Sequence, residues 1–227
     1  MSTSRRGSVL AGVGAIAFAI LTVVGIVVGG APGGNYDEKD VANYVSIGHL
    51  PAVIVSGYLA LFGVLGLICL LAYLRKAISA QPDRELAAAF FWGAGLTSAA
   101  SLAVGWGLLT GIAVAAAEGG SANPGNVGAV ATISHAETYM LSDTIINVLY
   151  GSGGILFAFA LMALAWASAG VLPRWLRWLS GIIGVLALGT PAYLPSFVIP
   201  IWFVVIGIWL IVAGSVSRPT AAAQPAA

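Results

Sequence analysis

Long apolar stretches, almost free of charged side chains, decide what this sequence can fold into. The first runs from about Val9 to Gly30, the second from about Ile47 to Leu74, and the third from about Leu86 to Ala117. A fourth covers about Ala136 to Ser168, and the last uncharged stretch lies between Arg177 and Arg218. About 20 apolar residues suffice to carry a helix across a hydrocarbon core of roughly 30 Å. The last stretch is too long for one crossing. Gly189-Thr190-Pro191 and Pro195 break it midway, because proline cannot continue a helical ladder. The pattern therefore predicts an all-α, multi-pass bundle of six transmembrane helices over residues 1–217.

Composition agrees with lipid as the solvent. Of 227 residues, 59% are hydrophobic and 7% charged, with a mean hydropathy of +0.99. A soluble domain carries about a quarter charged residues, so this chain could not clothe a water-facing surface. Arg5 and Arg6 ahead of the first stretch resemble a signal-peptide n-region, and Ser4-Arg5-Arg6 faintly resembles a twin-arginine signal. Signal cores span about 7–15 residues. The greater length here favours an uncleaved first helix.

Charge sets the expected direction. Arg5, Arg6, Arg75, Lys76, Arg84, Arg174, Arg177 and Arg218 fall on one side of a six-crossing layout. Lys39 falls on the other, with Asp37, Glu38, Asp40, Glu118 and Glu137. Basic short loops stay cytoplasmic, so both termini are expected inside, at a bacterial plasma membrane. Pro173-Arg174-Trp175-Leu176-Arg177-Trp178 reads as an interfacial anchor, with Trp at headgroup level and Arg reaching the phosphates. Residues 218–227 have nothing to bury and are expected to form a disordered cytoplasmic tail.

The two halves of the first four helices look alike. Ser46-Ile47-Gly48-His49 matches Thr132-Ile133-Ser134-His135, each following a Gly-Gly pair (Gly33-Gly34 and Gly119-Gly120) at the same distance. The same offset aligns Gly25 with Gly111 and Val41 with Val127. A parallel repeat of helices 1–2 and 3–4 is the expectation, as in some transporters. It would set both histidines at the outer starts of helices two and four.

The fourth stretch carries the polar constellation. His135, Tyr139, Asp143 and Asn147 recur every fourth residue, with Tyr150 three later, which keeps them on one helical face. An aspartate within a membrane helix costs about 2.5–3.5 kcal/mol on insertion scales, so it should face the bundle interior or a watery cavity. Thr97, Ser98, Ser101 and Thr110 on helix three, and Ser56, Gly57 and Tyr58 on helix two, are candidate facing partners. Gly25 and Gly29, or Gly107 and Gly111, would permit close helix approach. The candidate binding residues are thus His135, Tyr139, Asp143, Asn147 and His49, serving a small solute or a proton.

Two other readings stay open. His49 and His135, the two histidines of the chain, could supply the axial pair of a b-type haem in an electron-transfer subunit. Alternatively the stripe only glues helices in a structural subunit that forms homo- or hetero-oligomers through small-residue faces. Zinc on His49, His135 and Glu137 lacks a diagnostic spacing. The single Cys69 allows no intrachain disulfide and reads as a small buried hydrophobe.

Exclusions narrow the field further. No basic run could follow a phosphate backbone, so nucleic acid is not an expected partner. No phosphate-binding loop with its lysine occurs, and Gly151-Ser152-Gly153-Gly154 lacks nucleophile-elbow spacing. Asp37-Glu38-Lys39-Asp40 lacks the alternation of a calcium loop. The sequence reads as non-enzymatic.

The element Leu172-Pro173-Arg174-Trp175-Leu176, followed by a glycine-broken helix and a proline-rich hairpin, resembles a bacterial integral membrane family grouped only as a domain of unknown function. The resemblance covers the chain from the first helix to about Ser215. It implies a six-helix bundle and carries no catalytic residues.

Overall fold

The computed structural model describes residues 3–30, 44, 46, 48–119, 135–189 and 198–213. Among them the protein forms seven α-helices and one π-helical turn, with no strand. These are α1 (Thr3–Gly29), α2 (Leu50–Ser79), α3 (Glu85–Gly119), α4 (His135–Val148), the π turn (Leu149–Gly153), α5 (Gly154–Ala167), α6 (Arg174–Ala187) and α7 (Val198–Ala213). Three segments, Arg5–Gly29, Leu50–Ser79 and Glu85–Ala115, are long and apolar enough to cross a membrane. Val198–Ala213 and Gly151–Ala167 are apolar but shorter. Leu10, Val27, Phe62, Leu65, Val104 and Val212 point outward in a surface that only lipid would solvate. This is a helical membrane protein.

Local chemistry sets the helix ends. α2 opens behind His49 with Pro51 in its first turn, where a missing N–H costs nothing. It closes beside Lys76, whose charge suits the carbonyl end of a helix. The following turn holds Asp83 at φ 57°, a left-handed conformation that a short polar side chain tolerates. Gly170, at φ +83°, turns the chain between α5 and α6; a Cβ there would meet Gln81 Oε1 at 3.4 Å.

Successive helices pack antiparallel. Gly7 lies against Tyr73, Gly14 against Gly66, and Gly25 and Gly29 against Ser56, which pairs α1 with α2 along its length. On its other side α1 meets α7, where a Cβ at Gly12 would stand 2.6 Å from the Gly207 carbonyl oxygen. Ser8 donates to the Leu210 carbonyl at the same seam. Gly95 receives Leu71 between α2 and α3, and Gly184 meets Met162 and Ala158 between α6 and α5. The Trp202 indole N–H donates to Ser180 Oγ at 3.0 Å, tying α7 to α6. Phe18, Phe157, Trp202 and Phe203 fill the centre, with edge and stacked ring pairs 4.5–5.9 Å apart.

The antiparallel order brings the basic residues of the described helices to one end. Arg75 lies over the Trp92 ring at 5.3 Å and Arg84 over Trp166 at 5.4 Å. The Arg177 Nε–H donates to the Ala165 carbonyl at 3.1 Å, meeting an acceptor at the end of α5.

Several expectations need correction. The fourth stretch is not one regular helix, because a π turn divides α4 from α5 where Gly151 and Gly153 weaken the α-helical ladder. Cys69 is exposed on the outer face of α2, not buried. Gly25 and Gly29 do give close approach, but Gly107 and Gly111 face open space. Gly25 and Gly111, which the proposed repeat aligns, therefore stand in different surroundings. The Asp37–Asp40 loop, Thr132–Ser134, Pro191, Pro195 and the 218–227 tail lie outside the described residues.

Candidate functional site

Helix α4 carries the polar stripe and packs against α3. Asp143 is half-buried on it and Asn147 exposed. The Asn147 Nδ2–H donates to Asp143 Oδ2 at 3.2 Å and to the Asp143 backbone carbonyl at 2.9 Å. Four-residue spacing makes this contact, since it stacks one side chain over the next turn. The amide orients the carboxylate and leaves acceptor capacity at Oδ1. His135 opens α4, but its side chain and that of Tyr139 lie outside the described residues.

The pair sits directly before the π turn. A π turn widens the helix and shifts its carbonyl pattern, and such turns recur at functional sites. Here one carbonyl has a cross-helix donor: Ser98 Oγ–H of α3 bonds the Gly153 carbonyl at 2.8 Å. Leu149 fills the space that Gly105 leaves on α3, seating the turn against its neighbour. Of the expected facing partners, Ser98 thus serves the π turn. Thr97 and Thr110 donate within α3, to Gly93 and Trp106 carbonyls at 2.8 and 2.9 Å. Ser56 donates to the Gly25 carbonyl at 2.7 Å, stitching α2 to α1.

Ser142 was not legible as a site residue. Its hydroxyl is buried without a hydrogen-bond partner, one residue before Asp143 in the chain and so on a different face of α4. A serine in a membrane helix gives no periodic signal of its own, because it alternates freely with alanine on packed faces.

His49 is placed elsewhere. It stands at the N-cap of α2, and its Nε2 hydrogen-bonds the Gly29 carbonyl at 3.0 Å, closing the end of α1. Tyr44 lies beside it, with ring centres 6.3 Å apart, and its hydroxyl donates to the Leu109 carbonyl on α3 at 3.4 Å. Burial pushes the Tyr44 phenol up to about 12. The structure thus joins Asp143 to Asn147 on α4 and commits His49 to the α1–α2 junction. A haem iron at His49 Nε2 would have to displace that helix-closing bond. Among the described residues, no group of three His, Cys, Asp or Glu side chains is placed to hold a metal ion.

No protein-family model, no curated protein and no solved structure matches the chain.

Proposed function

We propose that the protein crosses a bacterial plasma membrane six times, with both termini cytoplasmic, and binds a small solute bearing N–H donors at Asp143. The six crossings would be α1, α2, α3, the α4–π–α5 rod, α6 and α7. The gathering of Arg75, Lys76, Arg84, Arg174 and Arg177 at one end supports this direction, because basic loops are retained in the cytoplasm. The resemblance to a six-helix bacterial membrane family belongs to the same reading.

One observation carries the solute site: a half-buried carboxylate is oriented by Asn147, which lies two residues before a π turn. A carboxylate held in a low-dielectric span favours a donor-bearing or cationic partner over its own exposure to lipid. The arrangement offers a carboxylate acceptor with its orienting amide, so the chemistry proposed for it is binding and passage. His135 and Tyr139, on the same four-residue ladder, are assigned to the approach from the outer side.

The test uses the full chain in lipid nanodiscs, with ammonium, methylammonium and guanidinium as probes in a thermal-unfolding assay. At least one probe should stabilise the wild type in a saturable manner, and Asp143→Asn should abolish that stabilisation while keeping its unliganded melting temperature. Equal probe responses from wild type and variant would sink the site.

A further inference from the structure

We propose that the groove between the C-terminal end of α2 and the N-terminal end of α3 binds the headgroup of a zwitterionic aminophospholipid. The groove is open to its surroundings, has a volume of about 460 Å³, and is lined by Arg75, Lys76, Ser79, Glu85 and Trp92, with Ala72, Ala88 and Ala89 between them. That volume falls within the roughly 300–1,000 Å³ typical of small-molecule sites. The inference rests on the membrane reading of α2 and α3 and is independent of the solute site at Asp143.

The order of groups along the groove selects the ligand. Leu65 and Leu96 are exposed on the apolar side of the groove, two turns before Ala72 and one turn after Trp92. Arg75 and Trp92 come next, stacked at 5.3 Å, which holds the guanidinium at the level where Trp prefers to sit. Ser79 and Glu85 lie furthest out. Ser79 is roughly 6 Å beyond Arg75, and Glu85 roughly 10 Å beyond Trp92, at about 1.5 Å per residue. An aminophospholipid presents the same sequence of chemistry: acyl chains, then a phosphate, then an ammonium one short linker further out. Arg75 and Lys76 match the phosphate, and Glu85 matches the ammonium.

Charge complementarity separates this lipid from its neighbours. An anionic headgroup would satisfy the two cations but face the Glu85 carboxylate. A choline headgroup would bring a cation that cannot donate a hydrogen bond to it. Only a primary ammonium gives Glu85 a charge-assisted hydrogen bond.

The experiment is native mass spectrometry of the delipidated full chain, titrated with dioleoyl phosphatidylethanolamine, phosphatidylcholine or phosphatidylglycerol. The wild type should retain the ethanolamine lipid roughly tenfold better than the choline lipid, the scale of one charged hydrogen bond. Glu85→Gln should erase that preference and raise retention of the glycerol lipid. Arg75→Gln with Lys76→Gln should weaken all three alike. Glu85→Asp, which keeps the carboxylate, should retain the preference and show that any loss in Glu85→Gln is not misfolding. Equal retention of the three lipids by the wild type would overturn the proposal. So would full displacement by soluble glycerophosphoethanolamine, which would assign the groove to a water-soluble ligand.

Discussion

Gly12 of α1 and Gly207 of α7 meet backbone to backbone, so that a Cβ on either would stand within 2.6–2.7 Å of the other's carbonyl oxygen. Neither main chain can retreat without lifting one helix off the other, because Leu210 and Ile211 close on Gly12 and Ile16 closes on Gly207. Without a hydrophobic drive between helices in lipid, such close packing is a main source of association.

Gly12→Ala and Gly207→Ala should therefore each destabilise the fold by about 1–3 kcal/mol, the usual range for overpacking. Gly107→Ala and Gly111→Ala, which face open space, should cost nothing and gain up to about 1 kcal/mol in helix propensity. Reversible unfolding in mixed micelles, comparing the four variants, checks both signs at once. Equal losses in all four would contradict the packing described.

The Ser98 hydroxyl and the Gly153 carbonyl make a second test. In a membrane span a carbonyl loosened by a π turn has no water to turn to. Ser98→Ala should cost about 1–3 kcal/mol, the range for leaving a buried acceptor unpaired. Thr97→Ala, which removes only a bond within α3 to Gly93 on an exposed face, should stay within about 0.5 kcal/mol. Amide exchange at residues 149–153 should quicken in the first variant alone.

What the sequence reveals here follows from what leaves a period or a charge. Helices α1 to α3 were legible because apolar length is a direct imprint of the bilayer, and the break after Gly189 was legible because proline cannot continue a helix beyond its first turn. The Asp143–Asn147 contact was legible as well, since four-residue spacing dictates it. The π turn was not. Gly151, Ser152 and Gly153 read as ordinary small residues, and the packing of Leu149 at Gly105 beside the turn joins residues 44 apart, which no local spacing signals. The groove at Arg75 and Glu85 escaped for a related reason: its charges looked sufficient as topology signals, and only the antiparallel pairing of α2 with α3 sets Trp92 beneath Arg75. Cys69 misled because an apolar residue in a lipid-facing position is indistinguishable by composition from one in a core.

Tyr44 gives a pH prediction outside the spans. Its phenol is raised from 10.0 to about 12 by burial, so the folded state disfavours the phenolate. The stabilisation is fully present below pH 10, the unfolded value, and is lost as pH climbs through 12. About 2 kcal/mol should disappear between those limits, following about 1.4 kcal/mol per unit. Tyr44→Phe should remove this limb of the stability curve while costing under about 1 kcal/mol at neutral pH, since the bond to Leu109 is long. Unfolding followed from pH 8 to 12 in both proteins isolates the contribution from the other tyrosines. Superimposable curves would refute it.

Orientation offers the last test, and it addresses the proposed direction itself. Arg75, Lys76 and Arg84 flank the α2–α3 turn, whereas Glu118 closes the charge-poor length of α3 at its other end. Retention of cationic loops should keep the first of these sites in the cytoplasm. In a Cys69→Ser background, Asp83→Cys should react with a membrane-impermeant maleimide only after the inner membrane is opened. Ser121→Cys, in the connection between α3 and α4, should react in intact spheroplasts. Cys69 must be removed because it is exposed on α2, although lipid should shield it from a charged reagent. Labelling of Asp83→Cys in intact spheroplasts would invert the bundle, and would move the groove at Arg75 and Glu85 to the opposite leaflet.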